Sequence, residues 1–305
     1  MITWNDNYIM GVEQLDHEHQ QLFKMAFGIL EKVQQRYTDD QYRLFLLRES
    51  ITYLHNYFET HVQEEEAYMR KIKYSEYAMH KALHDNFRKT ILKKYQKIVI
   101  HNECKKEDIW DFIGTGLGWL LEHIATADLA IVGKGYLSTA KENLCLSEAT
   151  LESEINYALT SLLNINANVK IVNNHYTGES FGHAIHHKIV FISDSREITA
   201  LIGFERCFVL DMAKMLYGST IDNEVELLMS TFEILDTNFW ATIGRRFSGN
   251  NTSFSLKESH FIAHTHLQQE FLHLNPTASI LFASNKGLFY VASNFTAFSR
   301  STENS

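Results

Sequence analysis

Proline occurs once in the 305 residues, at Pro276. Because proline removes a backbone donor and clashes with the preceding helical turn, its scarcity permits long unbroken helices. Cysteine is nearly as rare: Cys104, Cys145 and Cys207 are far apart and odd in number. That argues against a disulfide framework and for reduced thiols in a cytoplasm, which is the expected location. No apolar run reaches the ~18–20 residues that span a bilayer. The opening Met-Ile-Thr-Trp-Asn-Asp is polar early and carries no charged-then-apolar leader pattern. Basic runs are missing too, and the net charge is −9. Nucleic acid and anionic membrane are therefore not expected as partners.

What is present describes a globular chain, 45% hydrophobic and 21% charged. Its length exceeds the ~100–200 residues of one domain, so two are expected. From Val12 to about Ala130, apolar residues recur every three or four positions, the helical period. This predicts helices over roughly 16–37, 40–71, 76–100 and 107–131. Short polar breaks between them make antiparallel neighbours, hence an all-α up-down four-helix bundle over residues 1–132. The periodicity fades into Gly-Lys-Gly and Ser-Thr-Ala, giving a linker over 133–150. Beyond it, over 151–298, the chain reads as an α+β domain with mostly antiparallel strands. Helices are predicted at about 150–164, 206–217 and 222–246, with strands including 169–172, 188–192, 198–204, 279–283 and 288–292.

Histidine is abundant, with 16 copies. His61 and Glu65 are four apart on the second predicted helix, and His80 and His84 are four apart on the third. Four residues return a side chain to the same face one turn on, so each pair can converge on one ion. His19 lies near the start of the first helix, with His123 and Asp128 on the fourth. Imidazoles with a few carboxylates suit iron or another transition metal, and carboxylates can bridge two ions. Five histidines and two carboxylates are too many for one ion and about right for two. Against this, a His-x-x-x-His pair is common on solvated helix faces. Tyr8, Phe23, Phe58 and Trp119 read as core packing. His123 and Asp128, five apart, fall about 140° apart on an ideal helix and meet one site only if the helix distorts or the longer reach of a bridging ligand compensates.

Trp4-Asn5-Asp6, Tyr8, Gly11 and Leu15-Asp16-His17-Glu18-His19 resemble the opening of the bacterial hemerythrins. So do His61-Val62-Gln63-Glu64-Glu65-Glu66 with Met69, the pair His80 and His84, and Trp119, His123, Ile124 and Asp128. The resemblance covers about residues 1–131 and fills seven ligand positions in order. It implies two iron ions joined by an oxo or hydroxo bridge, with dioxygen as ligand. His80, His84 and His123 would hold one iron, and His19 and His61 the other, which keeps an open position where dioxygen binds end-on. Glu65 and Asp128 would bridge them. Phe58, Trp119, Leu120 and Ile124 are the candidates for a dry oxygen pocket. Val62 stands where the family usually has phenylalanine, His17 adds an imidazole beside His19, and the stretch from His19 to His61 is long. None of these departures touches a ligand.

The second half resembles the CheX/CheC-type chemotaxis phosphatase domains, giving a CheX-like α+β fold. The stretches that carry this are Thr199–Phe204, Ala213–Gly218, Asn223–Glu226 and Phe232–Asp236. Those enzymes use Glu-x-x-Asn, the amide orienting water. Here Glu233 is followed by Asp236 in the asparagine position and by Trp240 where glycine is expected, with Asn238 out of phase. An aspartate cannot donate the amide's hydrogen bond. Glu233 and Asp236 are therefore weak catalytic candidates, and a domain that dimerises or docks a partner is expected instead. His183, His186, His187, His260, His264 and His266 crowd this half, and on a strand His264 and His266 would share a face. The combined expectation is an oxygen or redox sensor with a signalling output module. A signalling protein or phospho-receiver would be its partner, and it would form a homodimer through the second domain. The alternatives are an oxygen store or carrier, a di-iron oxidoreductase, or an active phospho-receiver phosphatase.

Overall fold

The computed structural model describes residues 4, 6–36, 39–135, 147–163, 165–193, 195–217, 225–248 and 254–295. Asn5, Cys145, Gly218, Asn223, Glu224 and most of the expected linker lie outside the described residues. The chain separates into two compact units, one of Thr3–Ser138 with Asn223–Ile234, the other of Met1–Ile2, Thr139–Asp222 and Leu235–Ser305. Among the described residues no helix is long and apolar enough to cross a membrane.

The first unit is built on helices α1 (Glu13–Arg36), α2 (Asp40–Ile72), α3 (Tyr77–Asn86), α4 (Lys93–His101), α5 (Lys106–His123) and α6 (Leu129–Ile131). Several of these boundaries have a local cause. Asp39 accepts a hydrogen bond from the Tyr42 amide at 3.0 Å and caps α2, which ends at Lys73 in the left-handed conformation. The Asp108 carboxylate reaches back to the Lys105 amide at 2.8 Å where α5 begins. The first helix starts three residues before the sequence boundary. There the Asp16 carboxylate takes the amides of Met10 and Gly11 at 2.7 and 2.9 Å, folding the entering segment onto the helix.

The buried stripe of α2 runs through Leu44, Leu47, Ile51, Leu54, Phe58, His61, Glu65 and Met69, in steps of three and four. His61 and Glu65 thus continue a core stripe. Elsewhere the helices are not uniform. Phe87–Leu92 forms a π-helical turn that joins α3 to α4, and Ile124–Asp128 forms another that joins α5 to α6. The third and fourth predicted helices are each interrupted by a wider turn that proline scarcity does not foretell.

The second unit contains a six-stranded antiparallel sheet in the order β1-β5-β6-β3-β2-β4. Its strands are β1 (Lys170–Asn173), β2 (Ala184–Ser193), β3 (Arg196–Glu205), β4 (Ser255–Ile262), β5 (Ala278–Ser284) and β6 (Gly287–Ser293). Helices α7 (Glu148–Leu163), α8 (Arg206–Tyr217) and α10 (Leu267–Leu274) accompany it, with the part of α9 (Val225–Ser248) from Leu235 onward, the start of α9 belonging to the first unit. On one face Leu201, Tyr290 and Ala292 pack with Tyr176 and with Leu267 and Phe271 of α10. The sequence expectation that His264 and His266 share a strand face is overturned. His264–His266 is a 3-10 turn, because β4 has already ended at Ile262 and the chain is winding into α10.

Candidate metal centre

All seven metal-ligating candidates are buried, and the first unit brings them together. One group comprises Glu65, His80, His84 and His123, and the other His19, His61, Glu65 and Asp128, each with ligand atoms within 4.8 Å of one another. Glu65 belongs to both. The helices explain the pairing: α2 carries His61 and Glu65, α3 carries His80 and His84, and α1 carries His19. The last ligand comes from the π-helical turn. A π turn holds more residues than an α turn, so it carries Asp128 back to the face of His123. The five-residue spacing meets one site because the helix widens there.

The five imidazoles all present Nε2 inward. His19 and His61 approach at 3.2 Å and His84 and His123 at 2.9 Å. Glu65 lies 3.1 Å from both His80 and His84. Asp128 lies 3.1 Å from His19, 3.1 Å from His123 and 3.3 Å from His80. Yet both Asp128 oxygens and the second Glu65 oxygen have no hydrogen-bond partner. Two buried carboxylates with unsatisfied oxygens are costly unless a cation neutralises them. The donor set fits a pair of imidazole-preferring metal ions, with carboxylates placed to be shared.

Electrostatics sort the group. Burial and the charge of Asp128 push the Glu65 carboxyl up, but hydrogen bonds from His80 and His84 outweigh them and hold it at about 2. Burial likewise opposes ionisation of Asp128, and His123 and His19 overcome it, keeping that carboxyl well below its ordinary range. His123 is pushed down by burial to about 4. Burial also disfavours charge on His61, but the Glu18 hydrogen bond and the neighbouring carboxylates raise it above its ordinary value.

Glu18 is the residue sequence reasoning did not assign. Its carboxylate sits 2.7 Å from His61 Nδ1, is approached by Gln14 at 3.1 Å, and its backbone carbonyl accepts from the Tyr57 hydroxyl at 3.2 Å. Accepting the Nδ1 proton leaves Nε2 of His61 as the inward lone pair. The only hint in the sequence was its place directly before His19.

Of the four pocket candidates, Phe58, Trp119 and Leu120 line an apolar cavity of about 50 Å³ with Leu22, Phe87 and Leu117. Trp119 also stacks on His123, ring centres 4.3 Å apart, and Phe58 meets His84 edge-on at 6.0 Å. Ile124 is fully buried in the π turn but does not line this cavity. Val62 is likewise fully buried.

In the second unit, Asp236, one of the two weak catalytic candidates, lies on α9. It points into the interior of that unit, where it pairs with His187 at 2.8 Å, both groups essentially inaccessible. Glu233 is half-buried on the same helix. His186 is buried beside exposed His264, and burial, with that neighbour's charge, pushes it down to about 4.

Residues 10–134 match the family described as Hemerythrin HHE cation binding domain. The chain is 31% identical over 129 residues to a bacteriohemerythrin of Clostridium acetobutylicum, covering 42% of this chain and 96% of the relative. It is 24% identical over 132 residues to hemerythrin subunit alpha of Lingula anatina, covering 43% of this chain and 93% of that one. Among solved structures, a CheC-like superfamily protein from Shewanella sp. PV-4 aligns with 47% of this chain and 92% of its own, at 15% identity and a TM-score of 0.34.

Proposed function

The chain belongs to the hemerythrin family, and on that premise we propose that its bundle holds two iron ions that bind dioxygen, and that it acts as an oxygen or redox sensor in the cytoplasm. The observation that carries the metal reading is the convergence of five inward Nε2 atoms on two carboxylates whose remaining oxygens are unsatisfied. His80, His84 and His123 would hold one ion, His19 and His61 the other, and Glu65 and Asp128 both. Iron bound there supplies the electrons that dioxygen needs in order to bind reversibly.

The protein's own residues do the rest. Glu18 accepts the His61 Nδ1 proton and so fixes which nitrogen faces inward. Trp119 and Phe58 pack on His123 and His84 and keep bulk water from the ligands. The apolar cavity they line suits a small uncharged gas better than an ion or a polar substrate. The sensor part of the reading is supported by the presence of a separate α+β unit, which a bare oxygen carrier does not need, and by that unit's sequence resemblance to chemotaxis phosphatase domains. Its output partner would be a signalling protein.

The test is a visible spectrum of anaerobically reduced, iron-loaded protein, before and after oxygen and after its removal. A new charge-transfer band that reverses supports oxygen binding. A band that converts at once to the oxidised form points to redox sensing or to a di-iron oxidoreductase. No iron-dependent band overturns the proposal. The signalling role is separated from storage by limited proteolysis of the second unit with and without oxygen; an unchanged pattern favours a carrier.

A further inference from the structure

We propose that His186 and His264 form a separate binding site for one imidazole-preferring divalent cation, of the Zn2+ or Cu2+ class, in the second unit. His186 Nε2 and His264 Nδ1 face one another at 3.0 Å. Two imidazole ligands at ~2.0–2.1 Å from a metal stand ~2.9 Å apart at a right angle and ~3.3 Å apart at a tetrahedral one. The observed separation falls inside that interval.

The buried member of the pair is held in place. His186 Nδ1 lies 3.2 Å from the Tyr290 hydroxyl. Donation from Nδ1–H to that oxygen leaves the Nε2 lone pair aimed at His264, the arrangement that orients metal-binding histidines. The contact reaches across a whole strand: His186 of β2 is in register with Gly203 of β3, and Gly203 with Tyr290 of β6. It exists because the middle residue has no side chain. A Cβ at Gly203 would overlap the Tyr290 ring and come within 2.9 Å of His186 Nδ1. Glycine costs a strand its packing, so its use there marks a close approach that matters locally.

The other ligand is accessible. His264 is exposed at the start of the 3-10 turn that follows β4, so water can complete the coordination shell from the solvent side. Lys188, the next residue of β2 on this face, is paired with Glu270 of α10 at 2.8 Å, which offsets its charge. An ion here would tie the 264–266 turn, and α10 behind it, to the middle of the sheet. Two protein ligands predict moderate affinity and a replaceable exogenous ligand.

The test titrates Cu2+ into full-length protein whose bundle has first been filled with iron, read by electron paramagnetic resonance. One saturable equivalent with imidazole nitrogen couplings is expected. His264→Ala, an exposed change that leaves the fold intact, should abolish that equivalent. Tyr290→Phe should weaken it by about 10- to 100-fold, the usual effect of losing the partner that orients a ligand. Zn2+ should raise the melting temperature of the parent protein and leave His264→Ala unmoved. Copper uptake unchanged by His264→Ala, or no saturable equivalent, overturns the site. The iron-to-protein ratio is measured separately, so failure here is distinct from failure of the bundle reading.

Discussion

Each unit buries histidine beside carboxylate, and the two use the combination differently. In the bundle, two carboxylates are shared among five imidazoles, and three carboxylate oxygens remain unsatisfied. In the second unit, Asp236 meets His187 one to one at 2.8 Å, and the pair is closed off from solvent. The same two residue types give a shared cluster in one unit and a single buried pair in the other, where Asp236 Oδ1 and His187 Nε2 also lack partners. What separates them is convergence: four helices pointing at one place, against one helix facing one strand.

That contrast can be broken at its centre. Glu65 is common to both halves of the cluster, so Glu65→Ala should give the largest effect, cutting bound metal from two ions to fewer than one. Iron analysis after dialysis reads this directly, and retention of two ions would show that Glu65 is not shared.

The ion pair should respond through folding instead of metal. Asp236→Leu strands a buried imidazole and should cost about 3–5 kcal/mol, measured by urea denaturation, with the metal content of the bundle unchanged. A metal loss equal to that of Glu65→Ala would erase the distinction between the two units.

Glu18→Gln is the intermediate case. It removes the charged acceptor of the His61 proton while leaving every ligand in place, and should lower metal affinity about 10- to 100-fold. Competition with a chelator measures it; an unchanged affinity would make Glu18 merely a packing residue.

The smallest effect sharpens the ion pair by pH. Burial raises the Asp236 pKa, although His187 pulls it down. The folded state therefore holds this proton more tightly than the unfolded chain, whose aspartate titrates near ~3.9. Its contribution favours folding below that value and is lost as pH rises through the folded value. Asp236→Asn keeps an acceptor for His187 and removes the titration, so it should stay within about 1 kcal/mol of the parent. The parent should lose stability relative to this variant as pH rises above the unfolded value. The opposite slope would mean that the His187 charge governs the pair.

The sequence by itself determined the bundle and the ligand types. The three-and-four spacing along α2 holds for Leu54, Phe58, His61 and Glu65 alike, and periodicity of this kind is local, so it is legible without a fold. His80 and His84 follow the same rule on α3. Most strands and three helices of the second half were legible for a similar reason, since alternation and turn residues act over a few positions, but the helix Leu267–Leu274 was not expected. Tertiary structure alone decided the rest. The π turn at Ile124–Asp128 makes a five-residue spacing converge, and a widened turn leaves no mark in an apolar helical pattern. Glu18 became a partner of His61 only when α1 packed against α2, 43 residues away. His187 found Asp236 across 49 residues, and His186 found His264 across 78. Such pairings depend on which face of a strand meets which helix or turn, and that is fixed by the packing of the whole core, where no short stretch of sequence carries the information.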